Sequence, residues 1–382
     1  MWLPALGLAT GLSTPPAMRA EASFSPVIRE LHFSPDGRYM FAQDDAKITV
    51  LAARPFTILF RIPAGDVSDA QFTPDSKDIV LMRGQVPTVQ GSLETGSTQL
   101  VRLRGALYVE RWSIAGHTRA DVQGVPVNAC YMKRLSPDGR YVACLDPVGT
   151  LWLLDVHTAQ VVFERKRWCT EGFDGLGDGP GVSWVFVDPF KARADFSSDG
   201  RFLVAAPSFS SVGLGLDVIT WNLQTAKSMG YHGDLARLRE GDPEFVFVAP
   251  DQLLISEMFW ARHGFVKAHL AAFPSGKKLA RPKLPAGPLF RAADPAYVIV
   301  CRLPQGQAAG GACWPPDSKT APADRQAVAA EITTGDVITN GTPALDVYHN
   351  YYIAESSQGE VGLYERGKGL QAKIALHEKG SQ

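Results

Sequence analysis

The feature that most constrains this chain is a turn sequence that keeps returning. Ser34-Pro35-Asp36-Gly37 is echoed by Thr73-Pro74-Asp75-Ser76, by Ser136-Pro137-Asp138-Gly139 and by Ser197-Ser198-Asp199-Gly200, each followed by a basic residue and then an apolar run. Weaker copies occur at Val248-Ala249-Pro250-Asp251-Gln252-Leu253, at residues 291–298 and at residues 346–352. Self-similarity with a period of about 40 to 60 residues marks a repeat architecture before any single element is assigned. Proline presets φ at the second turn position, aspartate caps, and glycine supplies the positive φ that reverses the chain. Each copy therefore predicts a hairpin. Behind the clearest one come Tyr141–Leu145, then Thr150–Asp155, a turn at His157–Gln160 and a run Val161–Glu164, which reads as a four-stranded antiparallel meander.

Such a sheet cannot bury both faces alone, so radial stacking around an axis is the natural solution. The expected fold is all-β: a seven-bladed β-propeller of four-stranded antiparallel blades, occupying residues 23–382 as one domain. The expected blades are 24–64, 65–115, 120–166, 167–232, 233–285, 286–341 and 342–382. Composition agrees, since 45% of the 382 residues are hydrophobic and only 20% charged, enough for a large core. The 36 glycines and 27 prolines suit many short turns.

These residues resemble the degenerate WD-repeat, or YVTN-like, seven-bladed propeller family, in which a strand, a Ser-Pro-Asp-Gly turn and a strand ending in Trp-Asp recur once per blade. Leu154-Asp155, Trp112-Ser113 and Trp221-Asn222 stand where that family has Trp-Asp, and Gly116-His117 is read as a remnant of its Gly-His dipeptide. The resemblance implies that the turns between strands one and two and between strands three and four share one face. The longest connections then fall on the other: Gly84 to Arg104, Cys169 to Phe190, Ser208 to Leu216, Phe259 to Phe265 and Leu303 to Arg325. Long loops on a rigid scaffold are where binding concentrates.

Function is less legible. Trp260, Arg262 and His263 cluster in one long connection and offer an aromatic surface, a charge and a titratable ring, as a partner hot spot would. Asp174 and Asp178 lie in a Gly-rich stretch whose spacing does not suit an EF-hand, so they are candidates for partner contact rather than calcium ligation. No metal, cofactor or catalytic motif is present: the histidines are scattered and no Gly-x-Ser-x-Gly elbow occurs. Trp184-Val185-Phe186 and residues 348–352 read as blade core, and Arg165-Lys166-Arg167 as a solvated strand edge. With 38 basic against 39 acidic residues there is no basic excess to bind nucleic acid.

Residues 1–22, an apolar stretch ending in Ala20-Glu21-Ala22, read as a signal peptide, although no basic residue precedes the apolar run. No later segment is apolar enough to cross a membrane. The expected location is periplasmic or extracellular, or cytoplasmic if residues 1–22 are not a signal. Of the five cysteines, Cys301 and Cys313 bracket a Gly-rich stretch and are candidates for a disulfide; five inert buried thiols is the other reading. The leading functional expectation is a non-enzymatic scaffold binding a protein or peptide partner on the long-loop face. The alternative is a propeller enzyme or small-molecule or metal binder with a site at the mouth of the central channel.

Overall fold

The recurring turn builds the same hydrogen-bond module four times. In the first copy the Ser34 hydroxyl donates to Asp36 Oδ1 (2.7 Å) and accepts the Tyr39 N–H (3.0 Å), while Asp36 Oδ1 also accepts the Arg38 N–H (3.0 Å). Thr73 with Asp75, Ser136 with Asp138 and Ser197 with Asp199 make the same three bonds. The fourth residue donates its N–H to the carbonyl of the first and takes a positive φ, 67° at Gly37 and 72° at Gly139. Gly37 is required twice over, because a Cβ there would lie 2.1 Å from the Tyr348 ring. Burial raises the Asp36 and Asp199 pKa values, but the following N–H and the serine hydroxyl outweigh it and hold both carboxyls below the usual range.

The computed structural model describes residues 28, 30–84, 106–125, 130, 132–146, 149–166, 168, 193–206, 218–230, 243–257, 267–284, 289–301, 327–337, 345–357 and 360–376. They form seven antiparallel sheets. Blade 1 holds β1 (Glu30–Phe33), β2 (Tyr39–Gln43), β3 (Lys47–Ala52) and β4 (Thr57–Pro63); blade 2 holds β5 (Val67–Phe72), β6 (Asp78–Arg83), β7 (Leu107–Ser113) and β8 (Thr118–Val125). Blade 3 holds β9 (Met132–Leu135), β10 (Tyr141–Leu145), β11 (Leu151–Asp155) and β12 (Gln160–Arg165); blade 4 holds β13 (Arg193–Phe196), β14 (Phe202–Ala206), β15 (Ile219–Asn222) and β16 (Lys227–Met229). Blade 5 holds β17 (Pro243–Ala249), β18 (Gln252–Glu257), β19 (Lys267–Ala272) and β20 (Lys278–Ala280). Blade 6 holds β21 (Leu289–Arg291), β22 (Tyr297–Cys301) and β23 (Ala327–Glu331), with the bridge Ala330↔Val337 where a fourth strand begins. Blade 7 holds β24 (Asp346–Tyr348), β25 (Tyr351–Ser357), β26 (Glu360–Glu365) and β27 (Gly369–Ala375).

Second strands such as β10 and β14 are nearly all apolar and buried, whereas fourth strands such as β12 expose both ends. This pattern suits sheets covered on both faces by neighbours and wet only at the rim. Six buried clusters account for every junction. Phe41, Ile48 and Phe72 join blades 1 and 2; Val80, Val109 and Val142 join 2 and 3; Leu153, Phe196 and Trp221 join 3 and 4. Val204 and Phe247 join 4 and 5, Leu254 and Val300 join 5 and 6, and one cluster of Phe33, Ile299, Val347 and Tyr352 spans blades 6, 7 and 1. The ring is closed, and every blade is one continuous stretch of chain.

One blade boundary is corrected. The second blade does not stop at residue 115: β8 extends it to Val125, and Gly116-His117 forms the β7–β8 turn, with the Gly116 N–H on Ser113 Oγ (3.2 Å) and His117 at φ 53°. The tyrosines of residues 348–352 do belong to the blade core: Tyr352 is buried in it and Tyr348 and Tyr351 pack against it, while exposed His349 and Asn350 form the turn between β24 and β25. Trp184–Phe186 lies outside the described residues. Arg165 and Lys166 are exposed at the end of β12. At the positions expected to carry Trp-Asp, Asp155 accepts the N–H groups of His157 and Thr158, and Asn222 those of Gln224 and Thr225, so these residues cap the turn between third and fourth strands.

Ser136 is fully buried and both donates and accepts within its turn. Ser136→Ala is expected to lower unfolding free energy by about 1–3 kcal/mol in urea titration, because an N–H and a carboxylate oxygen lose their partner. Ser136→Thr, which keeps the hydroxyl as Thr73 does, should remain within ~1 kcal/mol of the parent protein.

Candidate functional site

The innermost strands β1, β5, β9, β13, β17, β21 and β24 face a common axis and carry an unusual number of ionisable side chains. Three of these carboxylates grip the backbone of the next blade. Asp69 Oδ2 accepts the Leu135 N–H at 3.0 Å, Asp195 Oδ2 the Phe247 N–H at 2.8 Å, and Asp346 Oδ2 the Phe33 N–H at 2.7 Å. Asp346 Oδ1 further accepts the N–H groups of Ala293 (2.8 Å) and Val347 (2.7 Å), so this one side chain, 1% exposed, ties blades 6, 7 and 1. Arg291 spans blades 6, 5 and 4: its Nε donates to the Phe247 carbonyl (2.8 Å), and its Nη2 to both oxygens of Asp195.

The electrostatics follow from this enclosure. Burial pushes the Asp346 carboxyl up to about 7, against the pull of its three N–H donors. His32, 3.8 Å from Asp346, is driven down to about 4, first by burial and then by the charges of Arg134 and Arg291, which come from blades on other sides of the axis. Asp69 is raised, chiefly by burial, and Lys133 is lowered for the same reason. Paired in this way, the axial groups act as fasteners between blades. Among the described residues no three His, Cys, Asp or Glu side chains are grouped to hold a metal ion, and no helix is long and apolar enough to cross a membrane.

Trp260, Arg262, His263, Asp174, Asp178 and Cys313 lie outside the described residues, so the Cys301–Cys313 pairing does as well. Cys130 and Cys144 form a disulfide, Cα atoms 5.3 Å apart, that fastens the lead-in of blade 3 to β10. Sequence reasoning missed this bond: Cys144 sits in the expected strand, but nothing in the spacing brings Cys130 to it. It missed the axial carboxylates too, and the only signal for them is an aspartate within the first strand of the blade, as Asp69, Asp195 and Asp346 are.

No family model matches the chain, and the curated proteins contain no match to it. The class is established by the structure, which is an all-β seven-bladed propeller, a fold that commonly serves as a scaffold for protein interaction.

Asp346, whose pKa is higher folded than unfolded, contributes less stability as pH rises from its ordinary 3.8 to about 7. His32, whose pKa is lower folded, contributes more as pH rises from about 4 to 6.5. In the parent protein the two slopes oppose. Asp346→Asn removes the falling Asp346 contribution and keeps the rising histidine one, so the variant, less stable throughout, should change more favourably with rising pH between 4 and 6.5 than the parent protein does. Parallel curves in denaturant titrations across this range would contradict the assignment.

Proposed function

We propose that this chain is a degenerate WD-repeat propeller that acts as a non-enzymatic scaffold, holding a protein or peptide partner on the face opposite its Ser-Pro-Asp-Gly turns. The observation that carries this reading is the inequality of the two faces. On the turn face the described connections are short, and their polar groups are engaged within the turn module. The strand ends on the other face are joined by the long stretches 85–105, 169–192, 207–217, 258–266 and 302–326. Trp260, Arg262 and His263 belong to the fourth of these, Asp174 and Asp178 to the second. The alternative, a channel-mouth enzyme or ligand binder, draws less support because the axial carboxylates already hold neighbouring blades.

Export accords with this reading. A disulfide between Cys130 and Cys144 suits an oxidising compartment, as does the apolar segment ending at Ala22.

Affinity capture of the tagged protein from its native host should retain one specific partner, which the Trp260→Ala/Arg262→Ala/His263→Ala variant loses while still folding. The captured protein should start after residue 22 and yield Cys130 and Cys144 as one linked peptide. Stoichiometric metal with no partner would overturn the scaffold reading in favour of the channel-mouth alternative.

A further inference from the structure

The outer edge of the ring carries a regularity of its own. Where the fourth strand pairs with the third, one residue is extra at the same place in five blades. Beside the partner of the penultimate residue of β3, β7, β11, β19 and β26, the pairing skips Leu59, Ala120, Val162, Leu279 and Gln371 respectively. Second and third strands in blades 1 to 6 pair with no such shift, and blade 4 keeps register over the three described pairs of β15 with β16. The extra residues therefore gather at the rim. A bulge of this kind bends the outer strand and increases its right-handed twist, so its free N–H and C=O groups leave a common line.

A second feature lies on the same strands. Each of the six fourth strands β4, β8, β12, β16, β20 and β27 exposes a basic side chain, in turn Arg61, Arg119, Arg165, Lys227, Lys278 and Lys373. The need for both features follows from what else stands there. A fourth strand has one edge paired and one edge open, and an open edge is a template for another strand. The large apolar side chains exposed among the described residues, Val122, Val161, Leu279 and Leu370 at 46% to 47%, all lie on these strands. Open edges bearing apolar groups are where copies of a β protein begin to associate.

We propose that the rim is built to refuse a second copy of this chain. The bulge breaks the line of backbone groups that an added strand would pair with, and edge-to-edge contact would set the basic side chains of two copies beside each other. Association is thereby left to the two faces of the ring. This holds whichever face a partner takes, so it does not rest on the scaffold reading.

Sedimentation of the full chain at about 100 µM tests the proposal. Ala120 is exposed, and its deletion restores one-to-one pairing of β7 with β8. Arg119→Thr removes the basic residue and leaves Glu110 with Arg83 and Trp112. The variant with both changes should show a weight-average mass about 1.5-fold that of the parent protein or more, with the near-ultraviolet circular dichroism of the parent. Adding Val122→Lys should return it to the parent mass, a rescue that general misfolding would not give. Deletion of exposed Gln371 with Lys373→Thr makes the same test on β27, at an edge that shares no residue with the first. A folded deletion variant that keeps the parent mass, or association that Val122→Lys leaves in place, would overturn the proposal.

Discussion

The structure depends on a closure problem solved by side chains. Among the described residues each blade is a continuous segment, and no described strand passes from the end of the chain into the first blade to lock the ring. What holds blade 7 to blade 1 is the Asp346 carboxylate on the Phe33 N–H, the Lys47 ammonium on the Leu376 carbonyl (3.1 Å), the Arg54 guanidinium 4.3 Å above the Tyr351 ring, and the apolar cluster beneath them. The same fastener, an inner-strand carboxylate on the next blade's backbone, recurs at Asp69 and Asp195. An inner strand presents N–H groups that its own sheet does not satisfy, and buried donors must be paired. A carboxylate from the preceding blade meets that need and sets the angular step between blades.

The turn module and the axial fasteners together explain where function is left to reside. Hydroxyl, carboxylate and backbone groups in the Ser-Pro-Asp-Gly turns satisfy one another, and the axial carboxylates satisfy neighbouring strands. Neither set retains the unsaturated, convergent polar groups that bind or transform a ligand. The proposed scaffold reading accordingly places binding on the long connections of the face opposite the turns.

The repeat was legible because the turn imposes the same local chemistry wherever it occurs: a hydroxyl, an aspartate two residues on and a positive-φ position next to it cannot be varied independently. Ser76, at φ 59° without being glycine, shows that the geometry outlasts the letter. Its hydroxyl accepts the Asp36 N–H of the previous blade, a compensation that a motif search does not register. The place of Gly116-His117 was not legible, because a dipeptide carries no register, and only strand pairing shows it inside a hairpin. The fasteners and the Cys130–Cys144 bond join residues of different strands or blades, and such pairings follow from how sheets stack rather than from local sequence. The long connections were legible as lengths and as residue types, with Trp260, Arg262 and His263 as their most interaction-prone group.

Amide hydrogen exchange at Phe33, Leu135 and Phe247, the three backbone groups held by carboxylates of the preceding blade, tests this account of closure most directly. All three should exchange only through global unfolding, with a free energy of exchange equal to that from denaturant titration. If Phe33 exchanged through a local opening far below that value while the other two remained protected, blade 7 would not be fastened to blade 1 and the ring would close by some other means.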